Sequence, residues 1–126
     1  MIGVDKAFNG FSVNDLAAAK DFYGTTLGVQ LEEIPAGLRL KIGNGILVYP
    51  KKDHQPATFT MLNFRVGDID QAVDALTQRG VQFQHYAQIP QMDDKGVMRA
   101  RAHHMGPDIA WFTDPAGNIL AVLQED

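Results

Sequence analysis

The chain has 126 residues, 45% of them hydrophobic and 21% charged, with a net charge of −4. That is the make-up of an ordinary globular protein, and the acid excess sets nucleic acid aside as a partner while mildly favouring a cationic small molecule. It has no cysteine, which excludes disulfides, thiolate metal sites and a cysteine nucleophile. No stretch reaches the length of a membrane span, and Met1–Lys6 lacks the apolar run of a signal peptide, so a cytoplasmic location is expected.

In chain order, residues 6–13 are expected to form a strand. Asn14 and Asp15 then cap a helix with an apolar stripe of Leu16, Ala19 and Tyr23, Phe22 beside it, and Gly28 as the left-handed stop. Strands follow at 29–33, 37–42 and 45–49, separated by turns at 35–37 and 43–45. The polar segment 50–56, with a proline at each end, has the composition of a linker. Residues 58–66 alternate strictly, with Thr60, Leu62, Phe64 and Val66 on one face and Phe59, Met61, Asn63 and Arg65 on the other. Asp68 caps a second helix with the stripe Ile69, Ala72, Val73 and Leu76, ended by Gly80. A strand is expected at 81–86. Residues 87–107 show no period, although part of that segment has room for an extra strand. Residues 109–113 and 119–123 make a closing hairpin around the turn 114–118.

These elements repeat. Phe11, Val13, Asp15, Ala19 and Asp21 recur as Phe64, Val66, Asp68, Ala72 and Asp74, and Gly28-Val29-Gln30 recurs as Gly80-Val81-Gln82. Two copies of one supersecondary unit are therefore expected, module 1 over 1–50 and module 2 over 57–126, within a single domain of residues 1–126.

Val13-Asn14-Asp15, Phe22-Tyr23, Leu27-Gly28, Val66-Gly67-Asp68 and Ala110 to Asn118 (Ala-Trp-Phe-Thr-Asp-Pro-Ala-Gly-Asn) together resemble the vicinal oxygen chelate superfamily. That is the group of glyoxalase I, the bleomycin-resistance proteins and the extradiol dioxygenases. The resemblance implies an α+β fold: two βαβββ modules forming a curved eight-stranded mixed sheet around a cleft, with the helices outside. It also implies a homodimer. Metal-dependent members place His, Gln or Glu ligands near the start of each module's first strand and on each last strand. Here those positions are Phe8, Met61, Ala121 and one at or beside Val48, within Leu47-Val48-Tyr49. None suits a hard divalent ion, so no metal and no cofactor are expected.

If Leu62, Phe64 and Val66 pack under the helix, Met61, Asn63 and Arg65 face the cleft. By the repeat Phe8, Gly10 and Ser12 do so too, with Ile119, Ala121 and Leu123 from the last strand. Such a cleft is mostly apolar, as small-molecule pockets are. Arg65 either pairs with an anionic ligand or makes a structural ion pair with a neighbouring carboxylate. Trp111 either stacks on an aromatic ligand or fills core. His54 lies in the linker, and adjacent His103 and His104 would point apart in an extended chain. His104 either faces solvent or reaches over the cleft mouth. The ligand-binding candidates are thus Phe8, Tyr49, Met61, Asn63, Arg65, His104, Trp111 and Ala121, with catalytic residues unknown. The expected function is glyoxalase/bleomycin-resistance-like, metal-independent binding of an apolar or aromatic small molecule. The alternative is a metal-dependent lyase or ring-cleaving dioxygenase with relocated ligands.

Overall fold

A computed structural model describes residues 1–125 and divides into two compact units, Met1–Pro56 and Ala57 onward. In each unit a strand, a helix and three further strands follow in order, and each unit has its own four-stranded mixed sheet. Among the described residues the strands number eight, as the repeat requires.

In the first unit β1 (Asn9–Val13) leads to α1 (Leu16–Asp21). Asp15 caps the helix, its Oδ1 accepting the Ala18 N–H at 3.0 Å. The helix continues through Phe22–Thr26 as a wider turn, in which Leu27 N–H bonds Phe22 O five residues back. Gly28, at φ 73°, then reverses the chain so that Val29 N–H reaches Tyr23 O. Next come β2 (Leu31–Ile34), β3 (Gly37–Leu40) and β4 (Ile46–Pro50), in the spatial order β1-β4-β3-β2 with β1 and β4 parallel. Alternation sends Val13, Leu38, Leu40, Ile46 and Val48 under α1, where they meet Ala19 and the fully buried Tyr23. Gly37 sits at φ 148°, where a Cβ would collide with the Val48 carbonyl oxygen, so only glycine lets β3 approach β4 this closely.

In the second unit β5 (Thr60–Arg65) leads to α2 (Ile69–Gln78). Asp68 Oδ1 caps the helix through the Gln71 N–H at 3.1 Å, and Gln124 Oε1 takes the Ile69 N–H at 2.9 Å. Ile69 and Val73 are buried against β7 (Asp108–Thr113) and β8 (Ile119–Gln124). The sheet order is β5-β8-β7-β6, where β6 is only Val97–Met98.

Two expectations need correction here. Residues 81–86 are not a strand: Phe83 alone bridges to Phe112, with rings 5.5 Å apart, and Gln84 N–H reaches Trp111 O. The edge place is taken by Val97–Met98, because Asp93 closes a turn that drives buried Val97 onto Ala110. Thr60 is the second correction. The register shifts between Thr60 and Leu62, pairing Thr60 with Ile119 and Leu62 with Leu120, so Met61 is the extra residue of a β-bulge. Thr60 therefore leaves the helix side, and its Oγ1 accepts the Trp111 Nε1–H at 3.0 Å.

Candidate functional site

Each sheet buries one face under its helix, so the opposite face carries whatever chemistry the module offers. On the first sheet that face holds Gly10 and Ser12 of β1, Leu47 and Tyr49 of β4, Arg39 of β3, and Glu32 and Ile34 of β2, as the pairings place them. A hollow of about 340 Å³ lies there, lined by Phe8, Ile34, Ala36, Arg39, Asn44, Gly45 and Leu47. Phe8 remains 65% exposed beside it. It is held in place indirectly: the Asn44 amide donates to Asp5 O and Ala7 O, 2.8 Å each. Those two bonds fix the backbone just before Phe8.

Tyr49, paired with Ser12 in the strand register, shares this face and is exposed. Ser12 Oγ lies 2.6 Å from His54 Nδ1, so the segment after β4 folds back onto β1. That contact joins residues 42 apart, and no local pattern announces it. Arg39 was legible in principle, because it alternates with buried Leu38 and Leu40 and so must face the other way.

On the second sheet the corresponding face carries Asn63, Ala121 and Trp111 in one row and Arg65, Leu123 and Ile109 in the next. Ala121 is fully buried, and Trp111 is half-buried with Tyr86 edge-on at 5.6 Å. Trp111 is thus clamped at both ends, by a ring and by the Thr60 hydroxyl. Met61 occupies the bulge. Arg65 is 83% exposed, and its Nε donates to Glu125 Oε1 at 2.7 Å, so it makes a surface ion pair. Glu125 also lines a hollow of about 500 Å³ with Arg101, His104, Gly106 and Pro107. Glu125, the partner of Arg65, thus borders the same hollow as His104. His104 closes a helical turn at φ 55°, in the left-handed region uncommon for its type.

A third hollow, of about 460 Å³, lies between α2 and residues 81–85 and includes Lys95 and His85. Lys95 is engaged there with Asp70 and Asp74, both at 2.9 Å. Arg99 adds a bidentate pair with Asp70. The two Arg99 hydrogen bonds and then the Lys95 bond hold the Asp70 carboxyl well below the usual range. Asp93 feels burial pushing it up, but the Val97 N–H and Arg99 outweigh this and keep it low.

The resemblance implies ligand positions at Phe8, Met61, Ala121 and at or beside Val48. Val48 is buried under α1, and Leu47, which pairs with Gly10 as Ala121 pairs with Asn63, is the equivalent of Ala121. The four positions therefore hold Phe8, Leu47, Met61 and Ala121. Two are aliphatic, one aromatic and one a thioether, a donor set that does not fit a hard divalent ion. Among the described residues no group of three or more His, Asp or Glu could hold a metal ion elsewhere.

The fold and its motifs coincide with a family model described as the Glyoxalase/Bleomycin resistance protein/Dioxygenase superfamily, which matches residues 7–122. The chain belongs to that superfamily. Solved structures agree with this assignment. A superfamily member from Sphaerobacter thermophilus superposes with a TM-score of 0.68 at 25% identity, covering 99% of each chain. A glyoxalase/bleomycin resistance protein from Streptomyces sp. CB03234 superposes at 0.59 and 25% identity, covering 93% of this chain and 97% of its own. TnmS3, an antibiotic binding protein from the same Streptomyces, gives 0.65 at 24% identity over 100% and 98%. No curated protein sequence matches the chain. Among the described residues no helix is long and apolar enough to cross a membrane.

Proposed function

We propose that this superfamily member is a metal-independent binding protein that holds an apolar or aromatic small molecule on the helix-free face of its sheets. The observation that carries the reading is the hollow of the first unit. It has about 340 Å³ and four apolar lining residues, Phe8, Ile34, Ala36 and Leu47, within the size range and composition of ligand pockets. The apolar or thioether side chains Phe8, Leu47, Met61 and Ala121 at the positions where the resemblance implies ligands support binding without a metal. In the second unit the half-buried Trp111 keeps part of its indole exposed on the helix-free face, which suits contact with a planar ligand. TnmS3, described as an antibiotic binding protein, is an instance of small-molecule capture on a similar fold. Homodimerisation is part of the reading, and sedimentation of the purified protein checks it.

Metal analysis of the purified protein, followed by a thermal-shift screen of aromatic compounds, tests the function. Metal well below one ion per chain is expected, with melting unchanged by chelator. A ligand at a hundred times its Kd adds about 2.7 kcal/mol to the native state, enough to raise Tm visibly. A stoichiometric divalent ion whose removal unfolds the protein would overturn the reading. So would a screen in which no aromatic compound raises Tm.

A further inference from the structure

The polar groups around the first-unit hollow narrow the ligand class further, on the footing of the binding function just proposed. The hollow is bordered by one charged side chain, Arg39, while its salt-bridge partner Glu32 is not part of the lining. Arg39 is positioned by its stem: Cγ and Cδ lie over Gly45, where a Cβ would come within 3.3 Å of both. Asn44 commits its amide nitrogen to Asp5 O and Ala7 O. Among the described lining side chains the charged donor offered to a ligand is therefore the Arg39 guanidinium.

That guanidinium is already shown to accept a carboxylate. Its Nη1 donates to Glu32 Oε1 at 2.7 Å, with the two side chains 51% and 45% exposed. An ion pair this exposed contributes little to stability, so it exchanges readily for another carboxylate. A ligand acid would meet the same planar fork of donors, and its apolar body would rest on Leu47 between Phe8 and Ile34. The chain's overall charge of −4 opposes an anion only weakly, because charges beyond about 8 Å are screened at physiological salt. Lys41, close enough to act on the Glu32 carboxylate, adds a second positive charge to the neighbourhood.

We infer that the first-unit hollow selects aromatic monocarboxylates, with Arg39 exchanging its Glu32 partner for the ligand acid. Calorimetric titration of the full chain with three matched acid and amide pairs tests this: benzoate and benzamide, naphthoate and naphthamide, cinnamate and cinnamamide. At least one acid is expected to bind about tenfold tighter than its amide. Arg39→Gln should erase that preference while leaving amide binding in place. Glu32→Gln, by removing the competing carboxylate, should strengthen acid binding and leave amide binding unchanged. Amides that bind as well as their acids in every pair that binds overturn the inference and leave the pocket standing. The same holds for an acid preference that survives in a folded Arg39→Gln protein. Absence of binding by all six compounds overturns the pocket and the ligand class together.

Discussion

Arg99 grips Asp70 through two parallel bonds, Nη1 to Oδ2 at 3.0 Å and Nη2 to Oδ1 at 2.7 Å. This pair ties α2 to the long segment between residues 87 and 107. Asp93 extends it by accepting Arg99 Nε at 2.8 Å and the N–H groups of Lys95 and Val97 at 2.9 Å. The segment that has no hydrophobic period is thus organised by carboxylates instead.

An acid-sensitive contribution to stability follows from the Asp70 pair. The Asp70 carboxyl titrates lower in the folded chain than in the unfolded one. The pair therefore stabilises the fold above about pH 4 and is lost as pH falls towards the folded value. Asp70 and Arg99 are 50% and 32% exposed, which limits the effect to roughly 1 kcal/mol and makes it weaker at high salt. Asp70→Asn should lower Tm by about 4 °C at pH 7 and flatten the decline of Tm between pH 5 and pH 2. An unchanged acid profile would remove the assignment.

Two glycines should separate sharply in urea unfolding. Gly37→Ala forces a Cβ into the Val48 carbonyl oxygen and should cost about 3 kcal/mol or more. At Gly43, φ is 55° and an alanine Cβ would find nothing within 4 Å, so the same change there should cost only about 1 kcal/mol. Equal losses at both sites would contradict the close approach of β3 to β4.

The chain has one tryptophan, so its fluorescence reports on the helix-free face of the second unit alone. Thr60→Val removes the acceptor of the Trp111 Nε1–H and should destabilise by about 1 kcal/mol with a shift in emission. Thr60→Ser keeps the acceptor and should keep the spectrum. If valine and serine behave alike, the hydroxyl does not hold the ring.

Phe8 offers a test of ligand binding decoupled from stability. It is 65% exposed, so Phe8→Ala should change ΔG of unfolding by less than about 0.5 kcal/mol. The same change should weaken an aromatic ligand roughly fivefold, or about 1 kcal/mol, through lost apolar contact. Parallel urea and calorimetric measurements check both halves. Unaltered affinity would move the ligand away from the hollow.

The repeat of Phe11–Asp21 in Phe64–Asp74, the caps Asp15 and Asp68, and the stops Gly28 and Gly80 were determined by sequence alone. They are local events: a carboxylate reaches an N–H three residues on, and only glycine enters the left-handed region without strain. Strict alternation likewise placed Asn63 with Ala121 and Leu62 with Leu120, because a pleated strand leaves a side chain only two faces. Tertiary structure decided where alternation breaks and which distant groups meet. The bulge at Met61 carries Thr60 to Trp111, His54 returns to Ser12, and Asp93 makes an edge strand of Val97–Met98 where residues 81–86 had the better pattern. None of these is written in a period, since each depends on one polar group finding a partner far along the chain. Loop closure costs grow only slowly with separation, and a single well-made hydrogen bond in the folded chain is enough to choose among arrangements that the sequence leaves equal.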